Sequence, residues 1–140
     1  KQMSAESILA AARSMLDTPF VHQGRLPGKA LDCAGLIITI ADNIGVERVD
    51  VQAYGRNPFH GLLEATLNDQ PSLIRISITD IAAGDILLMR FENEPQHLAI
   101  FAGQTIIHSW SAPGMVVEHR LDDAWRRRIV GAYRFTEAAA

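Results

Sequence analysis

The sequence predicts one α+β domain in which helices come first and an antiparallel sheet follows. Its 140 residues, 48% of them hydrophobic, suffice for one sizeable core. Apolar residues in the first half recur at helical spacing, whereas the second half breaks into short apolar runs bounded by turn residues. Helices and strands segregated in this way point to a layered α+β domain rather than to alternating βαβ units. No internal repeat or low-complexity segment divides the chain, so 1–140 reads as a single domain.

Taken in order, Ser4 is a helix cap, and Ile8, Leu9, Ala12, Met15 and Leu16 follow at helical spacing until Asp17, Thr18 and Pro19 stop the pattern. The stretch from Asp17 to Leu31, with Pro19, Gly24, Pro27 and Gly28, reads as a structured loop. A second helix starts after Asp32, carries Leu36, Ile37, Ile40, Ala41 and Ile44 on one face, and stops at the cap glycine Gly45. The β-branched run Ile37 to Ile40 also suits a strand; the caps and the period favour a helix. Asn57-Pro58 marks a third, shorter helix running through Leu67. The expected strands are Leu73 to Ile76, Asp85 to Phe91, Leu98 to Ala102, Thr105 to Trp110, Met115 to Arg120 and Ile129 to Phe135.

The bulk properties exclude several classes. A net charge of −3 argues against nucleic acid as the main partner, because phosphate binding needs clustered Lys and Arg. No stretch approaches the ~18 apolar residues of a membrane span. Lys1 to Leu16 lacks the apolar centre of a signal peptide; a leader removed before Lys1 is the alternative. The single cysteine rules out an intramolecular disulfide and any site built from several thiolates.

Cys33 is therefore a buried filler, a partner for another chain, or a reactive thiol. Its place in the first helical turn supports the last, since unpaired N–H groups and the positive dipole end stabilise a thiolate and lower its pKa, whereas free cysteines more often act as small buried hydrophobes, so position alone leaves the choice open. A thiolate nucleophile needs a base and a group that orients that base. Gly103-Gln104 suits a two-residue hairpin turn, and that register sets His108 opposite Ala99. His97 shares the face of Ala99, so His97 and His108 become diagonal neighbours, with Cβ atoms roughly 7–8 Å apart. A three-residue loop would instead set them on opposite faces. A two-histidine metal site is the competing reading, but no HExxH helix or acidic cluster accompanies the pair, and no metal or cofactor is expected. Asp32 reads as the helix cap and, in addition, as a substrate contact. His22, His60 and His119 are expected to face solvent, and Arg126, Arg127 and Arg128 to form a solvated patch.

Two stretches, Thr18-Pro19-Phe20-Val21-His22-Gln23-Gly24 and Leu31-Asp32-Cys33-Ala34-Gly35-Leu36, resemble the NlpC-type cell-wall peptidases, relatives of the papain fold. So do Gly84-Asp85-Ile86-Leu87, Gln96-His97-Leu98-Ala99-Ile100-Phe101 and Ile107-His108 farther along. The resemblance implies a Cys33, His97, His108 triad that hydrolyses an amide in the peptidoglycan stem, commonly the one between D-glutamate and the diamino acid after it. Asp32 and Phe20 then fall at substrate-binding positions. Ala34 stands where the family often has serine, and Phe20 where it often has tyrosine. Losing those polar groups favours stems still attached to glycan over free amino termini. His22-Gln23-Gly24-Arg25, with Pro27-Gly28, looks most like versions from the tails of bacteriophages and phage-like particles. That likeness implies tail proteins as partners and delivery to the wall in a particle, with an exported or periplasmic enzyme as the alternative. The other functional readings are a non-catalytic tail or scaffold protein that keeps the fold, and a thioester acyltransferase.

Overall fold

The computed structural model of the chain describes residues 3–50, 62–91 and 94–136. Helix α1 (Ala5–Arg13) starts where the Ser4 hydroxyl accepts the N–H of Ser7, and it buries Ile8, Ala11 and Ala12. The following loop holds a small ribbon, β1 (Arg25–Leu26) paired antiparallel with β2 (Ala30–Leu31). Strands of two residues carry no readable alternation, which is why this stretch looks like loop in the sequence. Helix α2 (Cys33–Ile44) runs from the Asp32 cap to Gly45, whose φ of 77° is the left-handed value that favours glycine. Helix α3 (Leu62–Asn68) ends near the expected place; the Asn57-Pro58 start lies outside the described residues.

The expected strands all appear, in one antiparallel sheet ordered β3-β8-β4-β5-β6-β7. They span Leu73–Ile76 (β3), Ile86–Phe91 (β4), Glu94–Phe101 (β5), Thr105–Trp110 (β6), Met115–Arg120 (β7) and Ile129–Phe135 (β8). Strand β5 begins before the expected Leu98, because its pairing with β4 runs on through His97, Pro95 and Glu94. A short helix, α4 (Asp123–Arg126), was not expected: Asp122 caps it, but four residues are too few to show a helical period.

Alternation along the strands divides the sheet into two faces. Ile86, Leu88, Leu98, Ile100, Ile107 and Val116 pack against Ile8, Leu36, Ile40 and Leu67 of the helices. Leu87, Met89, Ala99, Phe101, Ile106 and Ala132 form a second apolar layer with Leu121 and Trp125 on the opposite side.

Two contacts set the start of α2 against the rest. The Ser109 hydroxyl on β6 donates to the carbonyl of Leu31 at 2.6 Å. In the first turn of α2, backbone meets backbone: a Cβ added at Gly35 would lie 2.1 Å from the carbonyl oxygen of Gly24. Helix propensity alone favours Gly35→Ala by up to about 1 kcal/mol. The clash reverses the sign, and the expected result is a loss of about 1–3 kcal/mol in denaturant unfolding. An unchanged or higher midpoint for Gly35→Ala would show that the loop yields freely.

Candidate active site

Cys33 is the first residue of α2 and is half-buried. Beneath it Asp32 is buried, and its carboxylate accepts hydrogen bonds from the N–H of Gly35 at 2.7 Å, the N–H of Gln23 at 2.9 Å and the Arg25 guanidinium at 2.9 Å. Arg25 also pairs with Asp50 at 2.9 Å. The carboxylate expected to meet a substrate amine is thus engaged by its own chain, as helix cap and loop clamp together. Phe20, the other expected substrate contact, bridges to Leu31 in parallel and donates its N–H to the Gly114 carbonyl, which sets it beside the segment that leads into Cys33.

Strands β5 and β6 adopt the expected two-residue register, with Phe101 opposite Ile106 and Ile100 opposite Ile107. Farther along, the histidines join them: His97 Nε2 and His108 Nδ1 lie 2.5 Å apart, with ring centroids at 4.8 Å. Both residues are buried. The backbone N–H of Leu98 points at the Cys33 sulfur, which places the thiol beside the residue that follows His97. Because Nε2 of His97 is engaged by His108, Nδ1 is the ring nitrogen outside that bond.

The electrostatics correct one expectation. Burial, and next the Asp32 charge, push the Cys33 thiol up to about 12, outweighing the N–H groups of Leu98 and Ala34 and the charge of Arg25. The helix start does favour the thiolate, but the anionic cap that begins the helix opposes it. Burial also holds His97 well below the usual imidazole range, with His108, Arg128 and His119 adding to the effect. His108 is lowered to about 3 by burial and by His119. At neutral pH the resting pair is therefore a thiol and a neutral imidazole.

Sequence reasoning missed four contributors. His119 was expected in solvent, yet its Nε2 lies 2.7 Å from His108 Nε2, and its Nδ1 lies 2.9 Å from the Arg120 carbonyl oxygen. Strand pairing explains this: Val117 stands opposite His108, so His119 is diagonal to His108 on one side as His97 is on the other. Trp125 of α4 packs edge-on against His108 at 5.1 Å and against Phe91 at 6.2 Å. Phe91 in turn stacks on His97 at 5.3 Å. Arg126, Arg127 and Arg128 are exposed as expected, and Arg128 in addition lays its guanidinium over Phe91 and Trp125. His22 is half-buried rather than exposed, and His60 lies outside the described residues. Among the described residues, no cluster of His, Cys, Asp or Glu is arranged to hold a metal ion.

Comparison with known proteins gives this arrangement a family. No curated protein matches the sequence. An NlpC/P60 family protein from Bacillus cereus superposes with a TM-score of 0.71 at 18% identity, over 96% of this chain and 41% of that one. A Staphylococcus aureus protein described as similar to a lipoprotein of the NLP/P60 family gives 0.71 at 21% identity, over 98% and 44%. This chain thus spans less than half the length of either relative. The NlpC/p60 domain of the peptidoglycan hydrolase SagA gives 0.64 at 21% identity, over 93% of this chain and 97% of that one. These likenesses establish the fold, and the NlpC/P60 family pattern matches residues 17–134. The chain is a member of the NlpC/P60 family.

Proposed function

We propose that this chain is a cysteine peptidase that hydrolyses amide bonds in peptidoglycan stem peptides, with Cys33 as nucleophile, His97 as its base and His108 as the group that orients His97. The observation that carries the proposal is a helix-start cysteine whose sulfur receives the backbone N–H of Leu98, the neighbour of His97, which is itself hydrogen-bonded to His108. In this mechanism the thiol proton passes to His97 Nδ1 as the sulfur attacks the scissile carbonyl. The backbone N–H of Cys33 helps to hold the oxyanion. His97 then protonates the leaving amine, and water, deprotonated by the same ring, releases the acyl group from sulfur. Family membership and the name of the related hydrolase SagA support the substrate class.

The finer reading is an endopeptidase acting on stems still attached to glycan, at the D-glutamyl to diamino acid bond. Its support is the saturated Asp32 carboxylate, which has Arg25 where a substrate ammonium would have to compete, together with Ala34 and Phe20 in place of hydroxyl groups. Place of action follows from the same proposal: the bacterial wall, with delivery in the tail of a phage or phage-like particle. Tail delivery rests on the His22-Gln23-Gly24-Arg25 stretch alone. It predicts that the chain sediments with intact tails; recovery only as free protein from particle-producing cells would refute it.

Release of new amino groups from purified peptidoglycan tests the activity. The native chain is expected to release them and Cys33→Ala to release none, while cleavage of free stem tripeptides proceeds at least tenfold more slowly, on the order expected from two missing hydrogen bonds. Equal cleavage of tripeptide and polymer would exclude the attached-stem preference. Undiminished release by Cys33→Ala would exclude the cysteine mechanism.

The electrostatics make a separate prediction. An acid whose pKa is raised stays protonated below that value, so the Cys33 thiolate grows as pH rises. Alkylation by iodoacetamide should therefore increase about tenfold per pH unit between neutrality and pH 9. A rate already level from pH 5 upward would reveal a standing thiolate–imidazolium pair instead.

A further inference from the structure

The hydrogen bonds around His108 form a chain whose far end has only one chemical solution, and the rest follows from it. The Arg120 carbonyl is an acceptor, so the nitrogen facing it at 2.9 Å, Nδ1 of His119, carries a proton. In a neutral His119 ring, Nε2 is then a bare lone pair. It faces His108 Nε2 at 2.7 Å, so the proton of that bond sits on His108. Neutral His108 in turn presents a bare Nδ1 to His97 at 2.5 Å, which puts the proton of this bond on His97 Nε2. His97 is left with a bare Nδ1, the form a general base for Cys33 requires.

We infer that His119 is a positioning residue of this active site: anchored by the Arg120 carbonyl, it sets the tautomers of His108 and His97 so that His97 offers its Nδ1 lone pair to Cys33. The inference rests on the peptidase reading for its consequence in catalysis, but the tautomers belong to the resting protein. Without His119, nothing in this row tells His108 which nitrogen to protonate, and the wrong choice puts a proton on His97 Nδ1. The same three bonds can move charge outward. When His97 takes the thiol proton, its Nε2 proton can pass to His108 Nδ1, and the His108 Nε2 proton to His119 Nε2. Each transfer breaks one N–H bond and forms another along an existing hydrogen bond. The positive charge then ends on the half-exposed ring instead of the buried ones. Arg128, whose charge acts on His97, reinforces that direction.

The test uses the intact chain labelled with 15N-histidine, together with His119→Phe, which keeps an aromatic ring against Trp125, and His119→Gln, whose amide oxygen can accept from His108 Nε2 while its NH2 donates onward. Nitrogen shifts in the native protein should show Nε2–H in His97 and His108, and Nδ1–H in His119. His119→Phe should disturb the His97 and His108 tautomers and lower kcat about tenfold or more at unchanged KM, in the range of general-base effects. His119→Gln should restore kcat to within about threefold of native. Nδ1–H on His108 in the native chain overturns the inference, as do native tautomers and native kcat in His119→Phe. If the native chain cleaves no peptidoglycan, the peptidase reading fails while the nitrogen shifts still decide this one. If His119→Phe does not fold, the native shifts and the His119→Gln kcat decide it.

Discussion

The buried carboxylate of Asp32 is the constraint from which the site is organised. One oxygen caps α2 through Gly35 and meets Arg25, and the other holds the loop at Gln23, so the direction of the helix and the path into it are set by the same group. A charge this far from water is tolerated only when paired and hydrogen-bonded, and Arg25 and the N–H groups of Gly35 and Gln23 are among its partners. The arrangement has a chemical cost at the next residue. Burial already disfavours an anion on the Cys33 sulfur, and the Asp32 charge beneath it opposes one further, so the feature that positions Cys33 also helps to keep it protonated.

The opposite end of the site answers that condition. Buried imidazoles are poor hosts for a standing positive charge, so neither partner of the Cys33 and His97 pair is ionised at rest. In the proposed mechanism, proton transfer then belongs to the moment of attack, when the developing charge on sulfur moves onto substrate. Three antiparallel strands make this workable by lining up one ring each from β5, β6 and β7, with His108 between two diagonal neighbours. Phe91, Trp125 and Arg128 cover the row and limit the ways its rings can turn.

What could be read from the sequence was whatever local chemistry decides. Ser4, Asp32 and Gly45 mark helix ends because a cap is a contact between residues a few positions apart. The β5–β6 register was legible because a two-residue turn at Gly103-Gln104 allows only one, and with it came the His97 and His108 contact. His119 was hidden because β6 and β7 are joined through Ser111 to Gly114, a longer turn that does not mark a register. Trp125 reaches the site from a helix too short to show a period, and Arg128 from the turn that follows it. The sign of the Cys33 shift was missed because the dipole argument weighs the helix start without the burial of the thiol and, after that, without its capping charge.

The single hydroxyl of Ser109 joins the strand that carries His108 to the peptide just ahead of the nucleophile. It is a brace between the two halves of the molecule, and it attaches to main chain, so its far end cannot swing away on a flexible side chain. The two halves of the molecule are thereby tied to each other directly beside Cys33, so the spacing between the start of the helix and the strand that carries His108 is set by main chain rather than by a movable side chain.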